Sequence, residues 1–334
     1  MNGYQYMHIN LILVSVNAKK NQRNKKSLLK IVPLISFGIT CLWLYLLDPS
    51  SFEIMWKGRT FQLFFIWLIT IELILNWESI QIKKLRFFSS KSLRYITSLT
   101  LPIVYVIGSN YLGLNEIIAN LSQQMDIQWW DSMALSVEYL VFTLFFCLIL
   151  FFSFGKDGLK EFSVPLFFLG LIGTLYTIDN IFPYGEFTPF QLMVPTTAML
   201  AAIILGFLGY DTALITIENM PRLTATDSSI ALRSATFDIA WPCAGIESLL
   251  IYSVIILLFL KRTQISQKGK ITYFLIGALI TYFINVLRIV TIFLIGINQG
   301  DFQVFHFYYG PLYSILWIII YPLIILATQK FRKK

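Results

Sequence analysis

A series of long apolar segments, separated by short polar loops, is the feature that most constrains how this chain can fold. The hydrocarbon core of a bilayer requires about 20 mostly apolar residues for each helix that crosses it. Charged residues make up only 13% of the 334 residues, about half the share found in soluble domains. The sequence therefore predicts an all-α polytopic membrane protein and excludes a soluble or disordered chain. Nine segments approach the required length: 28–47, 61–77, 93–112, 134–154, 162–182, 189–209, 245–260, 271–296 and 311–328.

The positions of the basic residues predict the orientation, because Lys and Arg concentrate in short cytoplasmic loops. The loops at 113–133 and 297–310 lack basic residues and are expected outside. Both termini are basic and are expected in the cytoplasm, which requires an even number of crossings and predicts about eight transmembrane helices. Basic residues concentrate in five places: the tail 1–27, the loops 83–91, 156–160 and 261–270, and the tail 329–334.

One of the nine segments must then fail to cross. Segment 189–209 contains Pro189 and Pro195, so we expect it to be re-entrant or to lie along the outer interface. The alternative is that segment 61–77, which contains Glu72, does not cross. Either assignment restores an even number of crossings.

The segment 210–242 is the one sizeable polar stretch. Its alternating apolar and polar residues predict short strands around a turn that contains Pro221. We expect a small extracytoplasmic hairpin that returns the chain to the membrane before Cys243. The chain then divides into a basic cytoplasmic tail (1–27), N-terminal membrane helices (28–160), a membrane core that includes the hairpin (161–328) and a second basic cytoplasmic tail (329–334).

Cys243 has a polar setting, whereas Cys41 and Cys147 lie inside apolar segments. It follows Pro242 at the predicted start of a membrane helix, where free amide groups and the helix dipole stabilise an anion. A thiol there is expected to lose its proton more easily and to act as a nucleophile. The alternative is that Cys243 only packs beneath Trp241. Three cysteines and two histidines predict no disulfide framework, no metal site and no cofactor.

Two further residues, Arg288 and His306, have polar side chains in apolar or aromatic surroundings. Arg288 lies in an otherwise uncharged apolar segment, where a charge is costly and usually faces a polar cavity or a partner. Asn285 lies three residues earlier, on the same face of the predicted helix. His306 precedes the last span, among aromatic residues. The alternatives are a structural or snorkelling arginine and an interfacial histidine of an aromatic belt.

The predicted topology places Cys243, Arg288 and His306 at one depth, near the outer surface. A thiol, an imidazole and a guanidinium at one polar boundary are the groups that cysteine acyl transfer uses. The imidazole takes the thiol proton, and the guanidinium stabilises the developing anion. Two alternatives remain: a transporter in which Arg288 binds an anion, and a membrane scaffold in which all three residues are replaceable.

The ordered set of motifs resembles the exosortase/archaeosortase family. The run Cys243-Ala244-Gly245-Ile246-Glu247-Ser248, the pair Asn285 and Arg288, and the later His306 are similar to its three signature blocks. The resemblance covers about residues 160–315 and includes Pro183-Tyr184-Gly185 upstream. Ala244 and Glu247 differ from the usual bacterial residues, so the archaeal branch resembles this chain more closely.

The resemblance implies a membrane cysteine protease or transpeptidase without a cofactor. Cys243 would be the nucleophile, Arg288 the electrostatic partner and His306 the acid/base, at the extracytoplasmic face of the cell membrane. The substrates would be secreted surface proteins with a C-terminal motif, a transmembrane helix and a basic tail. A lipid or another surface group would accept the cleaved protein. Membrane lipids are the other expected partners, and nucleic acid is not one.

Overall fold

In the computed structural model, the described residues are 30–54, 56–80, 90–182, 191–217, 220–229 and 233–332. The predicted basic tail 1–27, the segment 183–190 and the last two residues lie outside these ranges. The chain forms two compact units, Met1–Asn180 and Ile181–Lys334. The helix that begins at Ser163 belongs almost entirely to the first unit, and the predicted division of the chain near residue 160 stays a prediction.

Each of the nine apolar segments folds into a helix. The first unit contains α1 (Lys30–Leu47), α2 (Thr60–Leu75), α3 (Ser90–Tyr111), α4 (Leu114–Gln124), α5 (Met133–Phe154), α6 (Lys156–Glu161) and α7 (Ser163–Ile181). The second contains α8 (Met193–Phe207), α9 (Ile246–Arg262), α10 (Gln267–Ile297), α11 (Phe302–Val304) and α12 (Gly310–Arg332).

Fewer of these helices than expected are long and apolar enough to span a bilayer. Within the described residues five qualify, namely α1, α5, α7, α10 and α12. The pair α3 and α4, bent by 70°, makes a sixth if it is one broken span. At 1.5 Å per residue, the 15 residues of α8 reach only about 22 Å, less than the hydrocarbon thickness of about 30 Å. The protein is a helical, polytopic membrane protein, and the number eight stays a prediction.

Aromatic packing and the buried ion pair of Arg59 with Glu138 stabilise the first unit. The rings of Phe37, Phe65 and Phe146 lie 4.9–5.6 Å apart, edge to face, the geometry that aromatic quadrupoles favour. Arg59 donates two hydrogen bonds, of 2.8 and 2.9 Å, to the carboxylate of the buried Glu138. A bidentate pair of this kind keeps a carboxylate compatible with an apolar interior.

The core of the second unit joins α9, α10 and α12. Tyr252 on α9 and Tyr321 on α12 are buried together. On α10, the Tyr252 hydroxyl donates to the backbone carbonyl of Phe274 at 2.9 Å and the Tyr321 hydroxyl to that of Tyr273 at 2.6 Å. Gly277 allows this approach, because a Cβ at that position would collide with the Tyr252 hydroxyl. The three helices are therefore held in fixed register beneath the site described below.

The polar stretch 210–242 forms a three-stranded antiparallel sheet in the order β1-β2-β3. Its strands are β1 (Tyr210–Ile217), β2 (Met220–Asp227) and β3 (Ser234–Asp238). Strands were predicted here, but as a hairpin turning at Pro221. Instead Pro221 lies within β2, opposite Thr216, and a third strand extends the sheet. Ala235 and Phe237 of β3 pack on α10 at Gly296, where a Cβ would lie 3.1 Å from each.

Candidate functional site

Cys243 lies in a short 3-10 turn, Trp241–Ala244, that precedes α9. Its backbone N–H donates to the carbonyl of Ala240 at 3.0 Å. Gly245 then reverses the chain with φ +93°, and a Cβ there would lie 3.0 Å from Asn285. Only glycine combines that left-handed conformation with so close a contact. Asn285 on α10 donates from Nδ2 to the carbonyl of Cys243 at 2.7 Å, which fixes the turn that bears the thiol.

The expectation of a readily ionised thiol is wrong. Burial raises the pKa of the Cys243 thiol above its ordinary value, and the positive charge of Arg288 offsets this only in part. The physical reason is that α9 begins at Ile246, so Cys243 is not its first residue. Its own N–H is already used by Ala240. The resting thiol is therefore neutral, and a base must remove its proton.

Arg288 reaches from α10 to the segment that connects α11 with α12. Its Nη2 donates to the backbone carbonyl of His306 at 3.1 Å and lies 3.5 Å from His306 Nδ1. The Nε atom is buried and, within the described part of the chain, has no hydrogen-bond partner. Gly310 makes room for this guanidinium, because a Cβ there would lie 2.5 Å from Arg288 Nε. Arg288 thus ties the α10 face to His306 while retaining a donor.

His306 lies in a single π-helical turn, Phe305–Tyr309, that leads directly into α12. Burial, and then the charge of Arg288, lower the pKa of His306 below its ordinary value. The imidazole is therefore neutral near pH 7 and retains a lone pair that can accept a proton. Since a guanidinium only donates, the Arg288 contact favours the lone pair on Nδ1.

A cavity of about 200 Å³ brings the three predicted residues together. Its polar lining consists of Cys243, Arg288, His306 and Asp238. The remaining lining is apolar: Phe237, Ile239, Ile289, Ile292, Phe293 and Phe302. The sequence predicted Cys243, Arg288 and His306 from separate parts of the chain, and the fold gathers all of them at one small cavity. A thiol, a neutral imidazole and a fixed cation in an apolar setting can support nucleophilic attack and stabilise an oxyanion.

Asp238, at the end of β3, was not predicted. Arg222 donates two hydrogen bonds to its carboxylate, of 2.5 and 2.7 Å, and thereby keeps the pKa of Asp238 below its ordinary value. The cavity therefore has an ionised carboxylate on the side of the sheet. No sequence motif marks this pair, because Arg222 and Asp238 meet only through the β2–β3 register.

Glu247, the second residue of α9, is another acidic group near the site. Its Oε1 is buried and lacks a hydrogen-bond partner within the described ranges. A charge on Glu247 adds to burial in raising the pKa of the Cys243 thiol. The described residues contain no group of three or more His, Cys, Asp or Glu side chains that could hold a metal ion.

Comparison with protein families agrees with the motifs. The family model described as transmembrane exosortase matches residues 64–324, which is most of the chain. Comparisons with curated proteins and with solved structures give no match. The matched range includes the whole cavity and reaches well into the first unit, beyond the residues 160–315 that carry the recognisable motifs.

Proposed function

Because the chain belongs to the transmembrane exosortase family, we propose that it is a membrane-embedded cysteine transpeptidase that cleaves C-terminal sorting signals. Its substrates are secreted surface proteins that end in a short motif, a transmembrane helix and a basic tail. The cleaved protein passes to a lipid or another surface acceptor. The observation that carries the proposal is the shared cavity of Cys243, Arg288 and His306 in a chain of this family.

The proposed reaction begins with the Cys243 thiol and the His306 imidazole both neutral. His306 takes the proton from the Cys243 thiol as the sulfur attacks the carbonyl carbon of the scissile peptide. The carbonyl oxygen becomes an oxyanion, for which Arg288 is the nearby cation. Once Nδ1 of His306 carries this proton, it can no longer accept a hydrogen bond from Arg288. The guanidinium is then released toward the new oxyanion. Collapse expels the amine, which takes the proton from His306, and leaves a thioester on Cys243.

The second half of the reaction regenerates the enzyme. A hydroxyl or amine of the acceptor attacks the thioester carbonyl, and His306 removes its proton. Collapse of this second tetrahedral intermediate expels the Cys243 thiolate, which takes the proton from His306 and so regenerates the resting enzyme. Water in place of the acceptor gives simple hydrolysis, so protease and transpeptidase activities share one intermediate.

The proposed orientation places the cavity at the extracytoplasmic face and both termini in the cytoplasm. The basic residues support it, since Lys261 and Arg262 end α9 and Lys268 and Lys270 lie in the first turn of α10, away from the cavity. A thiol reagent that cannot cross membranes should label Cys243 in intact cells. A cysteine at Lys268 should react only after permeabilisation, and the opposite pattern would reverse the orientation. Both measurements use a chain with Cys41→Ala and Cys147→Ala.

A transporter with Arg288 as an anion site was the other hypothesis, and it is not favoured. It assigns no role to Cys243. The family match points to an enzyme instead.

The experiment that tests the proposal compares two cysteine variants. The reporter is a secreted protein of the same cell that ends in a motif, a helix and a basic tail. Cys243→Ala should abolish its processing while the enzyme still accumulates in membranes. Cys147→Ala is the matched control, since Cys147 lies in α5 outside the cavity, and it should process at the normal rate. Normal processing by Cys243→Ala would end the catalytic assignment.

A further inference from the structure

The outer edge of β3 carries a row of backbone groups that point away from the sheet. Ile239 donates to Pro221, and Asp227 donates to Arg233, each at 2.9 Å. Because the hydrogen-bonded pairs of an antiparallel ladder recur every second residue, the odd-numbered residues from 233 to 239 face β2. The N–H and C=O groups of Ser234, Thr236 and Asp238 therefore face outward.

These outward groups are available to another strand. Ser234, Thr236 and Asp238 are exposed, and among the described residues β3 pairs only with β2. The backbone–backbone hydrogen bonds found outside regular elements include none from these three residues. An unpaired edge of this kind is a template for strand addition, in which main-chain hydrogen bonds supply the affinity.

The edge leads directly to the cavity. Ser234–Asp238 covers about 13 Å at the usual rise of a strand. Asp238 and the following Ile239 line the cavity that contains Cys243. A peptide laid along β3 would thus deliver its next residues to the thiol without a bend.

The edge is also rigid. On one face of the sheet, the ring of Phe237 packs 5.0 Å from that of Phe293 on α10. On the other face, Thr236 and Thr224 hydroxyls are 2.9 Å apart, and Arg222 is paired with Asp238. A preorganised edge costs little entropy when a strand binds to it.

We propose that the substrate segment just upstream of the scissile bond binds as a fourth strand on the outer edge of β3. This inference rests on the proposed function, which supplies an extended polypeptide substrate. The strand is parallel to β3, because the segment downstream of the scissile bond is the substrate's membrane helix. The upstream chain must therefore enter near Ser234 and run toward Asp238. Alternate residues of the substrate present both N–H and C=O to this edge.

A proline substitution at the edge tests the proposal. Thr236→Pro removes an outward N–H and leaves the β2 ladder intact, since residue 236 does not donate to β2. Thr212→Pro is the matched control, because the same register makes Thr212 an outward residue of the opposite edge, on β1. Thr236→Pro should slow reporter processing at least about tenfold, and Thr212→Pro should stay within about twofold of the unsubstituted protein.

Processing at the normal rate by Thr236→Pro, in cells where Cys243→Ala is inactive, would overturn the strand proposal and leave the proposed function intact. Normal processing by Cys243→Ala would instead refute the function itself. The two failures are therefore distinguishable.

A second measurement applies if Thr236→Pro does not accumulate. Synthetic peptides of the reporter signal, N-methylated at one upstream residue each, are cleaved by the purified full-length protein in detergent. Strand addition predicts that cleavage falls at every second methylated position. Equal cleavage of all methylated peptides, or loss without alternation, would overturn the proposal.

Discussion

The fit of Gly310 against Arg288 yields a prediction that separates chemistry from folding. Gly310 begins α12 with φ −55° and ψ −44°, which alanine adopts without strain. In a helix, alanine is favoured over glycine by about 1 kcal/mol. The backbone of α12 should therefore accept Gly310→Ala without strain. Any loss of function must then come from what the new methyl group displaces.

The displaced group is the guanidinium of Arg288. The new Cβ would lie 2.5 Å from Nε, whereas ordinary contacts begin near 3.4 Å, so Arg288 must retreat by about 0.9 Å. The retreat is away from the helix that carries both Gly310 and His306, and it breaks the 3.1 Å bond from Nη2 to the His306 carbonyl. A hydrogen bond from a charged donor contributes about 1.5–3 kcal/mol. The expected loss of processing is about ten- to a hundredfold.

The assay is pulse-chase processing of the reporter in cells. Gly206→Ala is the matched control, because nothing lies within 4 Å of a Cβ at that position in α8. Both variants should accumulate in membranes, and only Gly310→Ala should process slowly. Gly206→Ala should unfold in detergent at or above the unsubstituted temperature, whereas Gly310→Ala should unfold somewhat lower because it loses the Arg288–His306 hydrogen bond. Normal processing by Gly310→Ala would refute the idea that the position of Arg288 matters to the reaction.

Three other variants or conditions test the electrostatics of the cavity. The rate at which Cys243 is alkylated in detergent should rise only at a pH above the ordinary pKa of a thiol. Arg288→Gln should move that rise to still higher pH, because it removes the charge that favours the thiolate; a shift to lower pH would contradict the pairing. Processing should persist as the pH falls through about 6.5 and decline below it, because the lowered pKa keeps His306 neutral there; a decline centred above 6.5 would exclude His306 as the base. Asn285→Ala should slow processing about two- to tenfold by freeing the Cys243 carbonyl, and an unchanged rate would remove its positioning role.

The helices of this protein follow from its sequence because each apolar run has only one way to satisfy its backbone in lipid. The number of spans is less well defined by the apolar runs, since no apolar pattern predicts that α3 and α4 meet at 70°. The count of eight stays a prediction. The third strand, β3, lies within the segment 210–242 whose alternating pattern predicted strands. Its pairing depends on register, which a local pattern does not set.

The three cavity residues Cys243, Arg288 and His306 could be selected from the sequence because a thiol, a guanidinium and an imidazole are conspicuous in apolar surroundings. Their supports could not. Asn285 holds the Cys243 carbonyl across two helices, and Gly310 is needed only because Arg288 passes over it. The pKa of the thiol was mispredicted because a 3-10 turn and a left-handed Gly245 delay the start of α9. These features arise from tertiary placement and leave no local signal.

The most direct test of the account is the mass of the enzyme during turnover. The purified protein is mixed with a reporter-signal peptide, quenched in acid and digested. We expect the upstream part of the peptide to be attached to Cys243 through a bond that hydroxylamine cleaves, and attached nowhere in Cys243→Ala. An unmodified Cys243 during active cleavage, or an adduct on Cys41 or Cys147 alone, would contradict the proposed thioester mechanism.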